Sequence, residues 1–153
     1  MGASNSSLEL SWNDVVGLTS ELARKIRESE YRPDYLIGIT VSGLFPLGLL
    51  AKEFDTKDVV VVSARSYDDR TQGKLEITAL PKVDLAGKDV LLVDEIADRG
   101  TTLKHISEVI MQDYGVRQLK TATLVVNTER CEHRPDFTVR EVKEWVVFPW
   151  DAE

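Results

Sequence analysis

The stretch "VLLVDEIADRGTTL", residues 90–103, holds the densest chemistry in this chain. An apolar run meets two adjacent acids, Asp94 and Glu95, and Asp98, Arg99, Gly100, Thr101 and Thr102 follow. A helix starting at the threonines would expose unpaired backbone N–H groups and the positive end of its dipole, which favours a bound anion. Gly100 lets the backbone approach closely and the hydroxyls add donors, so the loop reads as a phosphate cradle. It is not a Walker loop, because the Gly-x-x-x-x-Gly-Lys spacing is absent. Asp94 and Glu95 cannot hold that same phosphate. Adjacent acids at a strand end suit a metal ion or a pair of sugar hydroxyls, both good partners for carboxylates. A phosphate loop beside such a pair implies a phosphorylated sugar, with Asp98 placed to meet whatever is attached at the sugar's other end. A competing reading makes Asp98 the N-cap of the helix, with nearby acids favouring the dipole. Capping would account for Asp98 and one neighbour, not for the whole series.

These residues need a frame that places a strand end beside a helix start, and the rest of the chain supplies one. "SWNDVVGLTSELARKI" predicts a first helix, capped by Ser11 with Asp14 three residues on, and striped by Trp12, Val15, Leu18, Leu22 and Ile26. "YLIGIT" reads as a strand and "VSGLFPLGLLAKEF" as a turn followed by a second amphipathic helix. "DVVVVS" is β-branched without alternation, as in a strand buried on both faces. "LEITAL" alternates enough for a hairpin or flap, "KDVLLVD" is another buried strand, and "TTLKHISEVIMQDYG" is helical with Gly115 as C-cap. "LKTATLVVN" and "EWVVFPWD" complete the strands. Alternating strands and helices predict an α/β fold with a mainly parallel sheet, five-stranded and flanked by helices. In such sheets ligands sit at the carboxyl ends of strands, where the opening stretch lies. Residues 1–9 are expected to form a flexible N-terminus and residues 10–153 a single domain.

The bulk properties narrow the partners. At 153 residues the chain can bury a full core without disulfides. A net charge of −7 with scattered basic residues argues against nucleic acid. The single Cys131 excludes an internal disulfide and suits a reducing, cytoplasmic setting. No apolar run approaches the roughly 20 residues that span a bilayer. The Met1-Gly2-Ala3-Ser4-Asn5-Ser6 start fits an N-myristoylation pattern, yet no basic cluster follows to reinforce an anchor, so no membrane role is expected.

Residues 90–103 resemble the phosphoribosyl-pyrophosphate (PRPP) signature of the type I phosphoribosyltransferases, in which an apolar strand ends in two acids before an Asp-Thr-Gly-type loop. The "SWNDV" opening, "GITVSGLFPLGLLAKEF", the tyrosine-containing flap and the ending "EWVVFPWD" are similar to the small xanthine-guanine or hypoxanthine phosphoribosyltransferases of bacteria and archaea. The resemblance implies that fold, with a mobile flap and a small C-terminal hood. It also implies Mg²⁺-dependent transfer of the 5-phosphoribosyl group from PRPP to N9 of a 6-oxopurine in purine salvage, by a homo-oligomer (dimer or tetramer). Carried over residue by residue, Asp94 and Glu95 hold the ribose hydroxyls and Mg²⁺, with Asp151 as a further metal and purine contact. Asp98 handles the proton near purine N7. Asp98, Arg99, Gly100, Thr101 and Thr102 surround the 5′-phosphate. Val41, Ser42 and Gly43 meet pyrophosphate through the backbone, and Arg65, Ser66 and Tyr67 start the flap. Trp145 covers the purine while the Val146 backbone reads its edge.

Three departures from the family pattern bear on PRPP affinity and base choice. Thr40-Val41-Ser42-Gly43 stands where the family usually has Ser-Arg-Gly-Gly, and Arg99 replaces a threonine in the phosphate loop. Asn127 ends the strand where a purine-contacting lysine is usual, which passes the 6-oxo group to Asn127, a main-chain N–H or water. Arg65, Arg70, Lys74 and Arg99 are the side chains expected to balance the anionic substrate. The losses would also suit a non-catalytic homologue that binds PRPP or a nucleotide as a regulator; Asp98 and the flap favour an enzyme. "VLLVDE" also resembles the first strand of a response-regulator receiver, but too few residues follow it. Cys131, His133 and Asp136 are too few for a metal site and read as a solvated loop.

Overall fold

The computed structural model describes residues 6–66 and 75–151. Helix α1 (Trp12–Glu28) starts at a reciprocal cap: Ser11 Oγ accepts the Asp14 N–H at 3.0 Å, and the Asp14 carboxylate accepts the Ser11 N–H at 2.8 Å. Val15, Thr19, Leu22, Ala23 and Ile26 form its buried stripe. Trp12, expected in that stripe, is 52% exposed and meets other rings instead, with its centroid 5.6 Å from Phe45 and 5.7 Å from Trp150.

The main sheet has six strands in the order β4-β3-β2-β5-β6-β7. They are β2 (Tyr35–Ile39), β3 (Val59–Ser66), β4 (Leu75–Ala79), β5 (Asp89–Ala97), β6 (Gln118–Asn127) and β7 (Phe137–Val142). All neighbours run parallel except β4, which pairs antiparallel with β3. Helix α2 (Leu44–Glu53) connects β2 to β3, and α3 (Thr101–Tyr114) connects β5 to β6. Because side chains alternate along a strand, the sheet feeds two cores. Leu91 and Val93 face α1 and α2, while Val90 and Leu92 face Leu103, Ile106 and Ile110 of α3.

The expected five-stranded sheet thus gains a sixth member. Strand β7, "FTVREV", lies at the sheet's edge with Arg140 and Glu141 exposed, and that polarity disguised it as loop. β3 is not buried on both faces, since Val61 is 40% exposed. It lies beside the edge strand, beyond the part of the sheet that α2 covers. The last strand, β8 (Trp145–Val147), joins no part of the main sheet and pairs in parallel with β1 (Ser7–Glu9). Within the terminal segment 1–9, Ser7–Glu9 forms the ladder Ser7↔Trp145, Leu8↔Val146, Glu9↔Val147. A 3-10 turn (Pro149–Asp151) follows, and its Trp150 ring stacks on Phe45 of α2 at 4.3 Å and on Phe148 at 4.8 Å. This aromatic stack fastens the C-terminal hood to the helical layer.

At the opposite end of the sheet, Asp89 opens β5 and is gripped by Arg117, whose Nε donates to Oδ1 at 2.8 Å while Nη2 donates to Oδ2. The guanidinium holds the Asp89 carboxyl below its unfolded value of 3.8. The pair's contribution is therefore complete above that value and is lost as pH falls through the lower, folded one. Urea midpoints of wild type and Asp89→Asn, followed from neutral pH to about pH 3, should converge on acidification. A gap that stays constant with pH would assign the Asp89 contribution to packing rather than to charge.

Candidate functional site

Strand order alone marks where a ligand binds. The connection leaving β2 runs through α2 to β3 on one side, while that leaving β5 runs through α3 to β6 on the other. β2 and β5 are neighbours, so their carboxyl ends flank the switch point of the sheet. The β2–β5 ladder stops at Gly38↔Val93, one residue before Asp94. The acid pair therefore sits just where β5 leaves its partner and the crevice begins.

The first wall of the crevice is the loop after β2. The Thr40–Val41 peptide bond is cis. The turn closes through Gly43 N–H to Ile39 O at 3.0 Å and Leu44 N–H to Val41 O at 3.0 Å. A Cβ on Gly43 would lie 2.3 Å from Ile39 O and 3.1 Å from Asp94 Oδ1, so only glycine allows the loop this close to the acids. Val41 is 72% exposed and Ser42 is partly so. The structure thus brings Val41, Ser42 and Gly43 beside Asp94, as the sequence predicts.

Within the acid pair, Asp94 Oδ1 accepts the N–H of Glu95 at 2.9 Å. Burial, reinforced by the negative charge of Glu95, pushes the Asp94 carboxyl well above the usual carboxylate range. A cation or a pair of hydroxyl donors relieves that strain. Beyond the pair lies the start of α3, where Gly100 is the N-cap, in the left-handed conformation at φ 82° and without a side-chain cap. Asp98 is therefore not the helix cap, and the first N–H groups of α3, near Thr101 and Thr102, have no capping side chain. Arg99 is exposed at this loop.

The far wall is one the sequence reading passed over as a solvated loop. Residues 128–136 return from β6 to β7 across residues 99 and 100. The Glu132 N–H donates to Arg99 O at 2.9 Å, and a Cβ on Gly100 would lie 2.2 Å from His133 O. Arg130 in this segment reaches Asp98, with Nη2 3.1 Å from Oδ2. Asn127 starts the turn: it is 5% exposed, and its Oδ1 accepts from the N–H groups of Glu129 and Arg130 at 3.0 Å each. The residue expected to read the base thus shapes the backbone that carries Arg130. No local signal identifies Arg130, because its place depends on the long-range docking of 128–136 onto residues 98–100.

The C-terminal hood carries the remaining expected site residues. Asn127 pairs with Val142, and three residues later Trp145 stands 70% exposed in β8, a ring open to cover a ligand. Val146 is buried and pairs with Leu8. Arg65 is exposed and Ser66 ends β3; Tyr67, Arg70 and Lys74 lie outside the described residues. Asp151, expected as a metal and purine contact, is engaged locally, its Oδ2 accepting the Phe148 N–H at 3.1 Å. Among the described residues no group of three or more His, Cys, Asp or Glu could hold an ion unaided. Two hard carboxylates still fit Mg²⁺, which commonly takes one or two protein oxygens and completes its shell with water and substrate. Among the described residues no helix is long and apolar enough to cross a membrane.

Comparison with known proteins agrees with this geometry. The phosphoribosyl transferase domain matches residues 11–153. The xanthine-guanine phosphoribosyltransferase of Chromohalobacter salexigens is 29% identical over 146 residues, covering 93% of this chain and 82% of that protein. The structure of a purine phosphoribosyltransferase from Pyrococcus horikoshii superposes with a TM-score of 0.86 at 30% identity, covering 96% of this chain and 95% of the other. A Helicobacter pylori xanthine-guanine-hypoxanthine phosphoribosyltransferase shares the fold at a TM-score of 0.86 and 24% identity, over 96% of this chain and 95% of its own. With a domain match that spans nearly the whole chain and a strand-end crevice built from the matching residues, this protein belongs to the phosphoribosyltransferase family of transferases.

Proposed function

We propose that the protein transfers the 5-phosphoribosyl group of PRPP to N9 of a 6-oxopurine and releases pyrophosphate. The observation that carries this reading is the convergence, at one switch point, of the Asp94–Glu95 pair, the 40–43 loop and the helix start without a side-chain cap at Gly100. The start of α3 takes the 5′-phosphate, and the acids take the ribose 2′- and 3′-hydroxyls. Backbone groups of Val41, Ser42 and Gly43 meet pyrophosphate, and Trp145 covers the base. The bond from ribose C1 to the pyrophosphate oxygen breaks with its electron pair leaving on pyrophosphate, and the bond from C1 to N9 forms. The proton that the purine loses is received at the Asp98 carboxylate. Mg²⁺ held at Asp94 and Glu95, when bound, supplies positive charge that neutralises the leaving group.

Melting curves test the binding half of the reading. PRPP with Mg²⁺ at about 100 times its dissociation constant should stabilise the fold by roughly 2.7 kcal/mol, and PRPP with a chelator by much less. Curves that match the ligand-free protein at millimolar PRPP and Mg²⁺ remove the assignment. Turnover with a panel of bases tests the chemical half. PRPP binding without turnover of any purine would assign the protein to regulation instead.

A further inference from the structure

The Arg130–Asp98 pair lies at the mouth of the crevice and is unusual in its setting. Both side chains are about half exposed, at 48% and 41%, so the contact adds little to stability. Arg130 and Asp98 meet as an ion pair at 3.1 Å, and no other side-chain partner holds Arg130 among the described residues. Its backbone is nevertheless fixed. Asn127 Oδ1 accepts its N–H, and the neighbouring Cys131 N–H donates to Asn127 O at 3.0 Å. The Glu132 link to Arg99 and the close passage of His133 over Gly100 hold the whole segment against the phosphate loop. A well-anchored backbone thus aims a flexible, largely unengaged cation at the proposed proton-handling acid.

A carboxylate and a guanidinium side by side form an acceptor next to a row of donors. A 6-oxopurine carries the matching groups on one edge, where O6 is an acceptor and N7, beside it, is a proton site. Adenine carries an amino donor in place of O6, which would face the guanidinium with nothing to accept from it. Asn127 is poorly placed for this work, since it is 5% exposed and its Oδ1 bonds hold the side chain in the turn. Resting on the transfer reading above, we propose that Arg130, paired with Asp98, is the residue that reads the 6-oxo group and sets the preference for 6-oxopurines over adenine.

Arg130→Met removes the donors and keeps the length, and Arg130→Lys keeps the charge. In the methionine variant kcat/KM for hypoxanthine and guanine should fall about 10- to 100-fold, mainly through KM, with partial recovery in the lysine variant. The PRPP–Mg²⁺ melting shift should stay as in wild type, because the contact is at the base. Calorimetry gives a readout independent of turnover: the preference for inosine monophosphate over adenosine monophosphate should narrow by a similar factor. If that preference and the kcat/KM values stay within about twofold of wild type, the guanidinium does not read the base and the proposal is overturned. A lower melting temperature together with a lost PRPP shift, at unchanged purine preference, would also overturn it, leaving Arg130 as a clamp on the phosphate loop. If wild type turns over no base, the transfer reading fails, and the nucleotide preference still decides the role of Arg130.

Discussion

Asp98→Asn is expected to lose turnover about 10²- to 10⁴-fold while its melting temperature moves only slightly. Asparagine matches the shape of the side chain but cannot accept the purine's proton. Stability should hold for two reasons. The N-cap of α3 is Gly100, so no capping bond is lost. The one ion pair removed, to Arg130, is half exposed on both sides and is worth at most about 1 kcal/mol. Steady-state kinetics beside a melting curve separate the two readings of this residue. A variant that melts far lower yet keeps its specific activity would make Asp98 structural after all.

Gly100→Ala should damage both fold and binding, and Gly115→Ala shows how much of that is backbone strain. Both glycines adopt positive φ, 82° and 62°. A Cβ on Gly115 would meet nothing within 4 Å, so alanine there costs only the left-handed conformation, about 1 kcal/mol. On Gly100 the Cβ would also come within 2.2 Å of His133 O, which is backbone and cannot swing aside. The 128–136 segment must then lift from the phosphate loop, weakening the Glu132 N–H to Arg99 O bond. We expect a total loss of about 2–4 kcal/mol, or roughly 4–16 °C in melting temperature for a chain of this size. The PRPP–Mg²⁺ shift should largely disappear, because the start of α3 no longer holds its shape. Equal losses in the two variants, with PRPP binding intact in both, would contradict the tight passage of His133 over Gly100.

How far the sequence revealed this molecule depended on how local each signal was. The α1 start was legible because Ser11 and Asp14 settle it between themselves, whatever the rest of the chain does. The apolar run into Asp94 and Glu95, followed by Gly100 and the threonines, likewise needs only one strand, one turn and one helix. β7 escaped because its alternation, Phe137 and Val139 against Thr138 and Arg140, is short and breaks at the exposed Glu141. Val61 misled in the opposite sense: a β-branched run states a preference for strand, not which face a helix will cover. Asn127 and Arg130 lay furthest from reach. Their separation in sequence says nothing about a turn that lands on residues 98–100, and only the topology puts a cation next to Asp98.

The pairing of β1 with β8 has a consequence for how the molecule is made. Ser7 leaves the ribosome well before Trp145, so β1 waits for β8. The β2, α2 and β3 unit and the β5, α3 and β6 unit can form during synthesis from near neighbours in the chain. Among the strand pairings of the described residues the β1–β8 ladder has the longest sequence separation, and closing so long a loop is slow relative to local contacts. The site therefore assembles in order: Asp94, Glu95 and the start of α3 take shape with the sheet, and the exposed Trp145 ring of β8 comes into place last.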